Sequence, residues 1–291
     1  EVIEAGEYVR RLSSTSNYIQ QVLRAPDVIA VQEVENLAVL NDLAARLAQD
    51  NPALVYTARL QEGNDLHGMD VGYLIRADRV NNIVTTQLDK NLRLSVDNSC
   101  LHERPPLRLT ANLIANNRPF AVIVNHTRSL SGLTDCRLAG EPARLCTQRL
   151  EQAVAIATQV QSVQTANPGT PLVVIGDHNA FEFSDGHVDV IGIIRGTARL
   201  VGNPTPDSLV APATDIVEPN LSNALTFPGG NQRYSFISGG TPQALDHALL
   251  SEAGQSELRS VTYPRGNADA PEQFRLDDLL VSGFETGNEM R

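Results

Sequence analysis

Four short segments of this chain set an acidic, amide or imidazole side chain at one end of a run of apolar residues. The first is Val173-Val174-Ile175-Gly176-Asp177-His178-Asn179-Ala180. If the backbone stays extended past the glycine, Asp177 and Asn179 point the same way, because residues i and i+2 of a strand share a face. Both could then address one phosphate, Asp177 through a divalent cation and Asn179 as an amide donor. In isolation such a segment is more often an ordinary Asp/Asn turn. The second, Asp27-Val28-Ile29-Ala30-Val31-Gln32-Glu33, delivers the carboxylate of Glu33. Mg²⁺ takes one or two oxygen ligands of this kind, although an acid there serves the start of a following helix equally well. The third, Ala121-Val122-Ile123-Val124-Asn125-His126, ends in a histidine that can protonate a leaving oxygen or hydrogen-bond a phosphate. A lone histidine is more commonly structural. In the fourth, Leu245-Asp246-His247-Ala248-Leu249-Leu250, Asp246 opens an apolar run. It is suited to orienting a histidine, to touching a metal, or simply to being a buried, hydrogen-bonded acid.

Strands and helices must position these groups, and both patterns alternate along the chain, which predicts an α/β fold. Helical composition covers residues 7–23, 37–47 and 142–166; the last is the longest, with Leu150, Ala153, Val154, Ala157 and Val160 at helical spacing. Strands are predicted at 28–31, 107–114, 119–124, 172–175, 234–237 and 248–251. Residues 70–76 and 80–88 read as two strands joined by a turn. The continuous apolar run 172–175 suits a fully buried central strand. Residues 201–225, rich in Pro, Asn, Asp and Ser, read as a long surface excursion. No linker divides the 291 residues, so a single domain over 1–291 is expected.

Composition narrows the function. Hydrophobic residues make up 42% and charged residues 20%, the balance of a globular protein with a sizeable core. No run of about 18 apolar residues offers a membrane span, and the polar start gives no leader segment. The formal charge is −11, which argues against tight non-catalytic binding of polyanions, since that rests on clustered Lys and Arg. It argues less against an enzyme that meets its phosphodiester through a bound cation, because the ion inverts the local field. None of the three cysteines, Cys100, Cys136 and Cys146, has CxxC spacing, which disfavours zinc. Cys136 and Cys146 bracket a segment that a disulfide could close in an oxidising compartment; three unrelated reduced cysteines fit the spacing as well. Cys100 is then the odd one out.

Taken in order, the QE, NH, GD-x-N and LDH segments resemble the endonuclease/exonuclease/phosphatase superfamily, and most of all its extracellular bacterial nucleases. Further strings carry the resemblance: His67-Gly68-Met69-Asp70-Val71-Gly72-Tyr73, Glu103-Arg104-Pro105-Pro106-Leu107, Phe181-Glu182-Phe183-Ser184-Asp185-Gly186 and Tyr234-Ser235-Phe236-Ile237. It spans roughly residues 27–271. The resemblance implies a deoxyribonuclease I-like four-layer sandwich, two packed mixed β-sheets flanked by helices, with the site at one end. Residue by residue, it implies Glu33 as a metal ligand and Asp177 and Asn179 at the attacked phosphate, Asp177 also touching the metal. His126 would contact the phosphate as a general acid, and Asp246 would orient the general-base histidine. Asp70 is implied, more weakly, to position His126, and Arg104 to hold substrate phosphate. The implied cofactor is Mg²⁺, with Ca²⁺ or Mn²⁺ as substitutes. The implied reaction is in-line attack of water on a phosphodiester of DNA or RNA. The expected setting is a secreted monomer with no membrane partner, of a kind often joined to other domains.

The chain departs from the family pattern in three places. Family members begin with a strand carrying an Asn near the metal, whereas this chain starts at the following helix. The usual Gly-Asp-Phe-Asn reads Gly176-Asp177-His178-Asn179 here. The closing Ser-Asp-His, source of the general base, has as its counterpart Leu276-Asp277-Asp278-Leu279. Asp277 matches the motif's Asp and Asp278 falls where the His belongs, and a carboxylate with a pKa near 4 is a weak base at pH 7. Two other readings therefore stand beside the nuclease: a catalytically impaired domain that binds or scaffolds, and a phosphoesterase acting on something other than nucleic acid.

Overall fold

The computed structural model describes residues 4–136, 138–198 and 215–265. The helix Ala5–Gln21 (α1) leads into the strand Val28–Val34 (β1) and the helix Leu37–Asp50 (α2). Asn36 caps α2, its side chain accepting the Val39 N–H at 3.1 Å, which supplies one of the orphan donors of the first turn with a partner. Then come the strands Tyr56–Leu60 (β2), Asp70–Arg76 (β3), Val80–Gln87 (β4), Leu107–Leu113 (β5) and Arg118–His126 (β6). The long helix Glu141–Ala166 (α3), the strand Leu172–Asp177 (β7) and the short helix Val190–Arg195 (α4) follow. The short strands Ser222–Asn223 (β8), Phe236–Ser238 (β9) and Thr241–Gln243 (β10) precede Asp246–Leu250 (β11) and a final helical turn, Glu252–Glu257 (α5).

Two sheets carry the architecture. The smaller runs β1-β3-β2 and is antiparallel throughout. The larger runs β4-β5-β6-β7-β11-β8 and is mixed, through the parallel pairing of β6 with β7. β3 is buried along its whole length and shows why. Its alternate residues point to opposite faces: Leu74 joins Ile19, Leu40, Leu43 and Leu47 of the overlying helices α1 and α2, while Val71, Tyr73 and Ile75 meet Leu107, Leu109, Val122 and Val124 of the larger sheet. On that sheet's far side, Ile123, Val174 and Leu249 pack against Ile156 and Val160 of α3 and Ile191 of α4. The order helices, sheet, sheet, helices makes this a deoxyribonuclease I-like four-layer sandwich. Tyr73 stitches the two sheets together: its hydroxyl donates to the Leu107 carbonyl at 2.7 Å and accepts the Val124 N–H at 3.0 Å.

The strands at 70–76 and 80–87 are joined by a turn as expected, and that turn, 77–79, carries the chain from one sheet to the other. Two expectations change. β2 and α4 were not expected, although the burial of β2 alternates as a half-buried strand should. The described part of the predicted surface excursion, 215–225, buries Val217, Leu221, Ala224 and Leu225 and supplies the edge strand β8. Its apolar residues are spaced among polar ones and show no period, so composition alone reads as loop.

Candidate active site

Register brings the motif residues together. In the large sheet His126 lies opposite Asp177 in the β6–β7 pairing, and Asp246 lies opposite Asp177 in the β11–β7 pairing. Three neighbouring strand ends thus hold a histidine and two acids in one row. Glu33 approaches from the facing sheet. It sits where the β1–β3 register shifts between Val31 and Val34, and its φ is +56°, a left-handed conformation that non-glycine residues rarely adopt. A bulge of this kind re-aims a side chain, and here it brings Glu33 Oε1 to 4.0 Å from His126 Nε2, with Asp177 Oδ2 at 3.7 Å from the same nitrogen.

Asp177 is the most perturbed acid of the group. Burial, reinforced by the charges of Asp246 and Glu33, pushes its pKa up to about 7 against the opposing pull of the Asn179 N–H and Arg104. Burial likewise raises Asp246, with Glu33 adding to the effect. His126 is driven the other way, to about 4, by burial and by Arg104, so its imidazole is neutral at pH 7. Carboxylates crowded together and pushed toward protonation are relieved by a cation. Among the described residues the acids here do not close into a cage of three ligands. A pair of carboxylates with open positions for water is the pattern Mg²⁺ takes, so Glu33 and Asp177 fit the expected ion. The compact ligand group that the described residues do contain, Cys136, Cys146 and His187, has its sulfurs joined in the expected disulfide, with Cα atoms 5.7 Å apart. Cys100 is unpaired and accepts from Arg93 Nη1 at 2.9 Å.

The backbone does not stay extended through Asn179. It turns left-handed there, with φ +45°, and Asp177 Oδ1 accepts the Asn179 N–H at 2.7 Å. Asn179 therefore reaches the site from a turn; one amide hydrogen bonds the Thr127 carbonyl at 3.0 Å, which fixes the side chain and leaves its second N–H for a ligand. Gly176, at φ +137°, could hold no side chain: a Cβ there would stand 2.0 Å from the Asn125 carbonyl oxygen. His178, at the position usually aromatic, is fully buried, its Nδ1 at 2.9 Å from the Gly176 carbonyl and its Nε2 without a partner. Burial lowers its pKa to about 3, so a neutral ring fills the aromatic slot.

Arg104 is nearly buried, pairs with Asp65 at 3.4 Å, and keeps an unpartnered Nε. Its influence on both Asp177 and His126 places a positive charge beside the row. Asp70 is not joined to His126. It accepts a backbone hydrogen bond from Gly63, burial raises its pKa, and His126 Nδ1 has no partner. Asp70 opens β3 in the smaller sheet, and the charged side chains that act on its carboxylate are Glu62 and Asp65. Asp277 and Asp278 lie outside the described residues.

Two supporting residues were given no role from the sequence, although His247 lies in the LDH segment. Arg149, inside α3 and wholly shielded from solvent, donates to the carbonyls of Arg128 (2.6 Å) and Asn179 (3.0 Å) and to Asp185 (2.9 Å). It ties both loops of the site to one helix. His247 bridges the Asn223 amide (3.1 Å) and the Ala180 carbonyl (2.8 Å), an arrangement that sets the proton on Nε2.

Comparison with known proteins agrees with this fold. Among curated proteins, none matches the chain. The structure is similar to the human Nocturnin catalytic domain (15% identity, 87% of this chain and 77% of that one, TM-score 0.54). It is also similar to a Bacteroides thetaiotaomicron mannosyl-6-phosphatase (13%, 85% and 78%, TM-score 0.53) and to truncated Caenorhabditis elegans TDP2 (15%, 85% and 78%, TM-score 0.51). At such identities the likeness shows the fold. The sequence model of the Endonuclease/Exonuclease/phosphatase family matches residues 3–194, from α1 through the site loops to α4. The chain belongs to the endonuclease/exonuclease/phosphatase family, hydrolases of phosphoester bonds that generally use divalent metal ions.

Proposed function

We propose that this protein is a secreted, Mg²⁺-dependent nuclease that hydrolyses phosphodiester bonds of DNA. The observation that carries the reading is the row His126, Asp177 and Asp246 on adjacent strand ends, with Glu33 aimed into it from a strained bulge. A backbone held in an unfavourable conformation costs about 1–3 kcal/mol, and among the described residues the Glu33 carboxylate has no hydrogen bond to offset it. A metal ligand position is a reason to keep that strain. When bound, the ion would neutralise negative charge on a phosphoryl oxygen.

The remaining work falls to the chain itself. His126, held neutral, offers an imidazole N–H to a phosphate oxygen. Asn179, pinned through the Thr127 carbonyl, offers its second amide hydrogen to the same group. Arg104 adds a fixed positive charge beside the row. Donors positioned in advance stabilise developing charge without reorganisation, which is typically the largest catalytic contribution. The Cys136–Cys146 disulfide supports an oxidising, extracellular setting.

Supercoiled-plasmid nicking tests the reading. Cleavage is expected with Mg²⁺, absent with EDTA, and reduced by at least about 10²-fold in Asp177→Ala. A chain that binds Mg²⁺ by calorimetry but leaves plasmid and RNA intact would point instead to a phosphoesterase of another substrate, a reading favoured by the acidic charge of −11. A chain that neither binds Mg²⁺ nor cleaves would overturn the enzyme assignment.

A further inference from the structure

The loop leaving β7 carries two phenylalanines just beyond the catalytic turn. The rings of Phe181 and Phe183 stack at 5.4 Å between centroids and 11° between planes. Phe181 is half-buried, while Phe183 lies outermost and is 64% exposed. Large rings normally find cover, and Phe183 has cover from Phe181 while its exposure to water remains high.

The loop that bears them is fixed on both sides. Upstream, Arg149 holds the Asn179 carbonyl and His247 holds the Ala180 carbonyl. Downstream, Asp185 accepts the N–H groups of His187 (2.8 Å) and Val188 (2.7 Å) and pairs with the same Arg149. The pair is tied to the site along the chain, since Phe181 lies two residues and Phe183 four residues beyond Asn179. A nuclease with a net charge of −11 gains little from long-range attraction to its substrate. Stacking on an aromatic face supplies affinity independent of charge and tolerant of sequence, because every base has a π-face.

We propose that Phe183, backed by Phe181, is a stacking platform for a nucleobase of an unpaired strand, adjacent to the phosphate under attack. This rests on the nuclease reading for its biological sense, but the platform can be tested without turnover. A short fluorescent oligothymidylate and an abasic strand of equal length and charge are titrated with the full chain in EDTA, and binding is followed by anisotropy. The base-bearing strand is expected to bind at least about fivefold tighter. Phe183→Ala and Phe183→Leu should abolish that preference, and Phe183→Trp should keep it. Equal binding of the two strands, a preference that survives Phe183→Ala, or one that survives Phe183→Leu (apolar bulk without a ring face) would each overturn the proposal. The same strands with Mg²⁺ separate the two ideas. A base preference without cleavage would overturn the nuclease reading and keep the platform, and cleavage without a base preference would do the reverse.

Discussion

Arg149→Met removes one side chain and should loosen the whole site. The guanidinium makes three hydrogen bonds, to the Arg128 and Asn179 carbonyls and to Asp185, with no exposure to solvent. Hydrogen bonds to a charged group contribute roughly 1.5–3 kcal/mol each, but three on one side chain do not add. Methionine restores most of the apolar stem and no donor, so the dominant loss is an Asp185 carboxylate left buried, 5% exposed, without its counter-charge. Breaking one partner of a buried pair costs about 3–5 kcal/mol. The two backbone N–H groups that Asp185 keeps place the expected loss at the lower end of that range. Urea unfolding should show a midpoint about 1–2 M lower. Adding Asp185→Asn to the variant removes the orphan charge and should return part of the loss, giving a coupling of at least about 1 kcal/mol in a double-mutant cycle. Activity should suffer beyond stability, since Asn179 would lose one of the contacts that hold it left-handed; about 10²-fold in kcat is the usual cost of a 1 Å misplacement. A loss below about 1 kcal/mol, or strictly additive mutations, would refute the idea that Arg149 clamps the two loops.

Two further expectations follow from burial and close approach. His102 is buried with its pKa lowered to about 4, so its contribution to stability is complete above the unfolded value near 6.5, falls as pH drops, and levels off near 4. The fall from this group should reach about 3 kcal/mol, and His102→Phe should make the stability–pH curve shallower in that window, where the buried His126 and His178 also contribute; an unchanged slope would refute the assignment to His102. Gly176→Ala should cost more than about 3 kcal/mol or prevent soluble expression, because its Cβ would stand 2.0 Å from the Asn125 carbonyl oxygen at φ +137°. A thermal melt within a few degrees of the parent would contradict that contact.

How much of this was legible in the sequence follows from what each side chain depends on. β1, β6, β7 and β11 were readable because each is an apolar run with a polar residue at one end, and burial of the run forces that residue to the rim. α3 was readable from its period. What could not be read was anything set by pairing between distant segments. Residues 70–76 and 80–87 read as two strands joined by a turn, yet they belong to different sheets, and nothing local records which strand lies beside which. The bulge at Glu33 is of the same kind: its left-handed φ belongs to the β1–β3 register shift and not to any turn residue. The short apolar helix α4 and the buried part of 215–225 have too few residues to display a period.

The candidate row itself shows the limit most clearly. The segments around Glu33, His126, Asp177 and Asp246 are individually weak, since each has an ordinary structural explanation. They become one site only because β6 runs parallel to β7 while β11 runs antiparallel to it. The carboxyl ends of β6 and β7 thereby meet the amino end of β11, and that is why His126 and Asp177 close their strands while Asp246 opens its own. The chemistry was written in residue types, but its assembly depends on strand direction. Arg149 depends on both. As the fifth polar or charged residue among the first nine of α3 it looks like part of a solvated face. Only the packing of that helix between the two loops turns it inward.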